Sequence, residues 1–356
     1  MRMHGNRQCP AREFMESPVL IGLLLVSVGG FVDGSLGLML KYTKAWKWEH
    51  LWLVYSGLAF GVIPSIVAGA TVNDLMGVLR AAEGKVVAQV CLFGMGWGCG
   101  AVLYGLALKT AGMALSYAIV MGLTAALGSL APLVLLHSEE IFSFKGLVII
   151  AGVLLVVVGV LFCAQAGRLK ERVLSSSPYQ APSPIGQKPM LGVIIAIFSG
   201  IFSPMINLSF SYGAPLSELS VSRGTSSWFA PNVIWVIALF AGAVVNCTYC
   251  GYLISKRHTW HLMARRSIDQ VLGLIMGLLG PTSLILYGMG SNQMGRLGAV
   301  IGWPILSAMG ILGANFWGAV TGEWTGTGKK PILIMSAAVT VLVVAMFLLG
   351  WSSTLK

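Results

Sequence analysis

Few side chains in this 356-residue chain can do chemistry, because only 10% of them are charged. Asp33 is the strongest candidate. It lies inside the apolar run that begins at Val19, about 5 Å past the middle of that run by the helical rise. A carboxylate at that depth costs roughly 2.5–3.5 kcal/mol on insertion scales, so it must face protein or a water-filled cavity. Such a group can take up and release a proton in step with a conformational change. The competing reading is a structural Asp bonded to Ser or backbone groups. Glu323, at the exit of a later run, is a second proton-coupling candidate. Its competing reading is an ion pair with Lys329 or Lys330. Asn207, Asn246 and Asn315 also fall within apolar runs. Buried amides need hydrogen-bond partners, which other helices or a polyol or sugar would supply. Sugars also need flat apolar surface, the kind aromatic rings offer. The candidate lining is therefore Ser35, Trp97, Tyr117, Asn207, Trp303 and Asn315.

These residues must be positioned by membrane-spanning helices. The chain is 56% hydrophobic, with a mean hydropathy of +0.83, whereas a soluble domain carries about 25% charged residues. Apolar runs of about 20 residues are long enough to cross a bilayer. Ten such runs are present, at roughly 19–40, 51–70, 86–108, 112–136, 146–165, 190–210, 230–254, 268–290, 295–320 and 331–351. The expected organisation is an N-terminal tail (1–18), a five-helix repeat (19–165), a linker (166–189), a second five-helix repeat (190–351) and a short C-terminal tail (352–356). The linker, with its SSSPYQAPSPIGQKP stretch, has the Pro and Ser content of irregular structure.

The halves echo one another. Glu139 precedes Lys145 and Glu323 precedes Lys329 at equal spacing, and the first and sixth runs are both interrupted, at Asp33-Gly34 and at Ser203-Pro204. An odd number of spans per half makes such a repeat inverted. Interrupted helices at matching places point to a substrate site at the repeat interface. The loops after odd-numbered spans hold 14 of the 23 Lys and Arg residues. Positive-inside logic then puts both termini on the outer, periplasmic side. Trp46, Trp48, Trp52, Trp228 and Trp324 read as interfacial belt residues.

The net charge of +11 would suggest nucleic acid in a soluble protein. Here the basic residues sit in short loops, where lipid headgroups explain them and no nucleic-acid partner is implied. No HExxH, GxSxG or P-loop is present, so an enzyme is not expected. Cys247 and Cys250 form a CxxC without a second Cys or His pair, so neither a metal nor a cofactor is expected.

With the spans in place, the chain resembles the L-rhamnose–proton symporter family of the drug/metabolite transporter superfamily. The resemblance is carried by KYTKAWKWEHLW at 41–52, FGMGWGCGAVLYGLALKTAGMALSYAI at 93–119, AGRLKER at 166–172, GIFS at 200–203, GEW at 322–324 and KKP at 329–331. It implies an all-α integral membrane fold of ten transmembrane helices in a five-plus-five inverted repeat, with a central cavity and ion-driven secondary transport. The expected function is proton-coupled symport of L-rhamnose or a related sugar by alternating access in the cell (inner) membrane. Export or uniport of another small metabolite, or a non-transporting sensor, are the alternatives. Asp33 is not a position carried over from the family motif; its role rests on the physical argument.

Overall fold

The computed structural model describes residues 18–111, 113–175, 189–264 and 267–355. The tail before Pro18 and residues 176–188 of the expected linker lie outside the described residues, while its first part, 166–175, continues the fifth helix. Among the described residues ten helices are long and apolar enough to cross a membrane: α1 Pro18–Tyr42, α2 Trp48–Thr71, α3 Gly84–Ala111, α4 Met113–Leu136, α5 Phe144–Ser175, α6 Met190–Ser222, α7 Asn232–Lys256, α8 Ile268–Gln293, α9 Gly298–Val320 and α10 Lys329–Ser352. Helices suit these runs because each backbone N–H and C=O is satisfied within its own segment, which hydrocarbon demands. α5 and α6 extend about two to three turns beyond the expected ends, since hydropathy marks the apolar core and not the helical overhang.

The helices close into a ring in the order α1, α8, α2, α7, α3, α6, α4, α9. α5 and α10 pack on each other outside the α4–α9 seam. Shifting every span number by five maps each neighbouring pair onto another neighbouring pair, so the ring has the two-fold pairing of an inverted repeat. The equivalence reaches single residues. A Cβ on Gly30 of α1 would meet the Leu306 carbonyl of α9 at 2.5 Å, and one on Gly200 of α6 would meet Leu123 of α4 at 2.7 Å. Gly200 follows Gly30 by 170 positions, and Leu306 follows Leu123 by 183. Small residues at both places let the helix backbones touch.

The same offset aligns Asp33-Gly34 with Ser203-Pro204. Only the second breaks its helix: α6 stops at Phe202 and restarts at Met205. Pro204 has no N–H to donate and crowds the preceding turn. The expected interruption of α1 is absent, because Gly34 keeps its donor and α1 runs through it. Gly34 is instead required by contact, since any Cβ there would collide with the Gly310 carbonyl of α9. Mid-span, α2 contains a π-helical segment, Gly57–Val62, a distortion frequent at functional sites.

Both membrane faces are tied by loop contacts. The face that carries the loops after odd-numbered spans is called the basic face below, and the other, bearing Pro18 and Leu355, the terminal face. On the basic face Asp269 accepts the backbone N–H groups of Lys44, Ala45 and Trp46 at 2.9, 2.7 and 2.7 Å, and Glu49 pairs with Arg257 at 2.5 Å. These ties correct the belt reading of two tryptophans. Trp46 is buried and donates to the Leu262 carbonyl, while Trp52 donates to Asn246 Oδ1 at 2.8 Å. On the terminal face Asp74 pairs with Arg223 at 2.6 Å and Glu139 with Arg296 at 2.5 Å.

Candidate functional site

α1 exposes two different faces along its length. Near the terminal face it exposes Ile21, Leu24 and Val28, one helical stripe suited to lipid. Past its midpoint the exposed residues are Asp33, Gly37 and Leu40, followed by Lys41 and Tyr42 at the helix end. Asp33 stands about 140° around the helix from Val28, at about 100° per residue. That direction leads into the ring. A Cβ on Gly37 would meet no atom within 4 Å, so the space before it is open. Asp33 is thus accessible to water although it lies near the middle of a span.

The carboxylate of Asp33 makes no hydrogen bond or ion pair among the described residues. Its Oδ2 lies 3.6 Å from where a Gly310 side chain would begin. Tyr55 of α2 and Tyr117 of α4 are within electrostatic reach of its charge. Tyr55 begins an aromatic chain through Phe60 to Trp97 of α3, with ring centroids 5.0 and 4.7 Å apart. Asp33, Tyr55, Tyr117 and Trp97 therefore bring four helices to one interior surface. Tyr55 was missed at the sequence level, although a mid-span tyrosine is the same signal that marked Tyr117. Asn315 of α9 bonds only within its own helix, through Nδ2 to the Ile311 carbonyl at 2.9 Å, which leaves its Oδ1 free among the described residues.

The other three lining candidates are engaged elsewhere. Ser35 is buried, donates to Phe31 and accepts the Trp317 indole N–H at 2.8 Å. Trp303 is buried and donates to the Thr124 carbonyl at 2.9 Å. Asn207, wholly buried, donates to the carbonyls of Gly128 (2.6 Å) and Ala299 (3.0 Å) and accepts the Tyr287 hydroxyl. One amide thereby joins α6, α4, α9 and α8. Ser129 adds a bond to the Val300 carbonyl at 2.6 Å. Together these close the terminal half of the α4–α9 seam.

The position equivalent to Asn207 in the other half is Gly37, 170 residues earlier. It has no side chain to make such a knot, and the basic half of the interior stays open beside it. Toward the basic face a partly exposed triad ties the end of α9 to α1 and α5. Glu323 pairs with Lys41 of α1 at 3.2 Å and with Lys170 of α5 at 3.0 Å. Lys41 also reaches Thr321 at 2.7 Å, and Lys170 lies over the Trp324 ring. Lys329 and Lys330, the partners expected from proximity in sequence, are not the ones used. Burial alone would raise the Glu323 carboxyl, but the hydrogen bonds and charges of Lys170 and then Lys41 outweigh it and hold it below the ordinary glutamate range.

Two apolar clefts lie outside the ring. One, of about 810 Å³, runs between α1, α9 and α10 past Leu23, Met309 and Phe347; the other, of about 370 Å³, separates α3 from α7 at Cys91 and Phe240. The smaller is lined by apolar residues and the larger adds only the hydroxyls of Ser27, Ser353 and Thr354, with no charged or amide side chain, so the interior surface at Asp33 is the candidate site for a hydrophilic solute. Among the described residues no three His, Cys, Asp or Glu side chains gather as metal ligands.

A family model described as "L-rhamnose-proton symport protein (RhaT)" matches residues 15–354. L-rhamnose-proton symporters of Shigella sonnei (strain Ss046) and Klebsiella pneumoniae (strain 342) are each 23% identical, over 345 and 350 residues. Each match covers 94% of this chain and 98% of the relative. A solved crystal structure, 16% identical, superposes with a TM-score of 0.53 over 94% of this chain and 98% of its own. At that identity the likeness shows the fold alone.

Proposed function

Because this chain belongs to the L-rhamnose-proton symport family, we propose that it carries L-rhamnose or a closely related sugar together with a proton across the cell membrane. The observation that carries the coupling is Asp33: a mid-span carboxylate that is open to water and paired with no cation among the described residues. Tyr117 and Trp97 supply a hydroxyl and a flat ring to the same interior, and Tyr55 joins them; Asn315 offers a free amide oxygen on a different face of α9 from Gly310. Asn207 and Trp303 act in this conformation as braces of the closed half, and Ser35 ties α1 to Trp317 of α9 on the basic side. Glu323 stays ionised at neutral pH beside two lysines, so it serves as a latch and leaves the proton to Asp33.

The conformation is read as open toward the basic face. The Lys and Arg excess of the odd-numbered loops supports a cytoplasmic position for that face, with both termini outside. Lipid headgroups meet those same basic loops. The moving units are the two five-helix repeats, 19–165 and 190–351, rocking about the interior site.

Proteoliposomes test this directly. With an inward pH gradient, wild-type protein should accumulate labelled L-rhamnose or one sugar of a panel, and Asp33→Asn should abolish accumulation while still allowing sugar exchange. Accumulation that survives in Asp33→Asn would move the coupling to another group. A wild type that accumulates no sugar would sink the symport reading and redirect the search to export.

A further inference from the structure

The closed half of the ring holds an aromatic cluster that the site at Asp33 does not use. Phe210 of α6 stacks on Trp235 of α7 with centroids 5.3 Å apart and planes at 15°. Tyr287 of α8 meets Phe210 at 5.4 Å and Trp303 of α9 at 5.7 Å. All four rings are buried. Trp235 and Trp303 lie about one turn inside the helix starts on the terminal face, and Tyr287 less than two turns from its helix end there.

Packing accounts for the rings but not for one polar atom. The indole N–H groups of Trp46, Trp52, Trp260, Trp303 and Trp317 all donate to an oxygen. Trp235 is 1% exposed, and its N–H has no partner among the described residues. A buried donor left this way is costly. The repeat sharpens the anomaly. Trp52 lies near the start of α2, the helix that pairs with α7 in the repeat, and its N–H is bonded to Asn246. Space beside the Trp235 N–H is kept by Gly288, where a Cβ would come within 2.7 Å of Nε1. Close by, the Tyr287 hydroxyl and the Asn207 amide are bonded to each other, and both would be released if the seam parted.

We propose that Trp235, Tyr287 and Asn207 form a second sugar-recognition surface, presented to the terminal side when the closed half of the ring opens. Stacked rings offer the apolar face that a monosaccharide with few polar substituents on one side requires. The Trp235 N–H, the Tyr287 hydroxyl and the Asn207 amide offer the donors and acceptors for its hydroxyls. In the closed state the same groups seal the seam, with the Trp235 N–H unpaired. Sugar entering from the terminal side meets this surface first, whereas sugar leaving from the basic side meets Asp33, Tyr117 and Trp97. The inference rests on the sugar-transport reading above.

The test is a sided measurement with labelled L-rhamnose in intact cells. Trp235→Phe keeps an aromatic ring and removes the pyrrole half of the indole together with its N–H. Its half-saturation for entry should rise several-fold, up to about tenfold for one lost hydrogen bond. Its half-saturation for exit from preloaded cells should equal that of wild type, which also shows that the variant folds. Unchanged values in both directions would mean that a buried water or nothing pairs with the N–H, and would overturn the proposal. Equal rises in both directions would overturn it too. If Trp235→Phe is inactive both ways, Tyr287→Phe is judged by the same criterion. A wild type that moves no L-rhamnose overturns the underlying reading and this inference with it, an outcome distinct from a wild type that transports while the variants show no sidedness.

Discussion

Two asparagines that look alike in sequence have opposite surroundings. Asn207 satisfies two carbonyls and a hydroxyl on three other helices. Asn207→Ala leaves those groups buried and unpaired, so it should lower unfolding stability by roughly 2–4 kcal/mol, measured by thermal unfolding in detergent. Asn315 bonds only to its own helix. Asn315→Ala should leave stability within about 0.5 kcal/mol, as changes away from packed or bonded features do, but raise the half-saturation for sugar. An Asn315→Ala protein with wild-type transport would remove that residue from the site. Asp33 is distinguished from both by being open to water and unpaired, as a side chain that exchanges protons with water must be.

At the scale of the helix, α1 is decided by which of its glycines touch a neighbour. Gly34 abuts the Gly310 carbonyl, and Gly37, one turn later, faces open space. Gly34→Ala must push α1 from α9, an overpacking strain of about 1–3 kcal/mol, and should abolish transport. Gly37→Ala meets nothing and replaces a poor helix former with the best one, a gain of about 0.8–1 kcal/mol. Transport and unfolding assays on the two variants separate close packing from cavity lining. Comparable damage from both would show that the space before Gly37 is filled in the working protein.

Across the whole molecule, the two-fold ring is broken at one place in each half. The terminal half is knotted at the buried Asn207, whereas the basic half of the interior is spanned near α9 by the partly exposed Lys41–Glu323–Lys170 latch. Glu323 has a folded pKa below its ordinary value. Its stabilising effect is therefore complete above the ordinary glutamate range near 4.3 and is lost as pH falls through the lower folded value. The difference in unfolding temperature between wild type and Glu323→Gln should be constant from pH 6 to 8 and vanish only in strong acid. The pH dependence of sugar uptake over that neutral range should be the same in both. A uptake profile shifted by Glu323→Gln would return the proton to Glu323.

The sequence by itself determined the ten spans, the five-plus-five division of their pairing, the family and the singularity of Asp33. Each of these is a local sum or a spacing: hydropathy over about 20 residues, an odd count per half, one carboxylate inside an apolar run. Only the tertiary structure decided the partners. Glu323 chose lysines 282 and 153 positions away over its neighbours in sequence, Ser35 was claimed by Trp317, and Trp46 and Trp52 left the expected belt for the interior. It also decided that Gly34 continues a helix where Pro204 breaks one. The reason is that a side chain's partner depends on which helix the closing ring brings beside it, and that neighbour comes from far along the chain, beyond the reach of any window read along it.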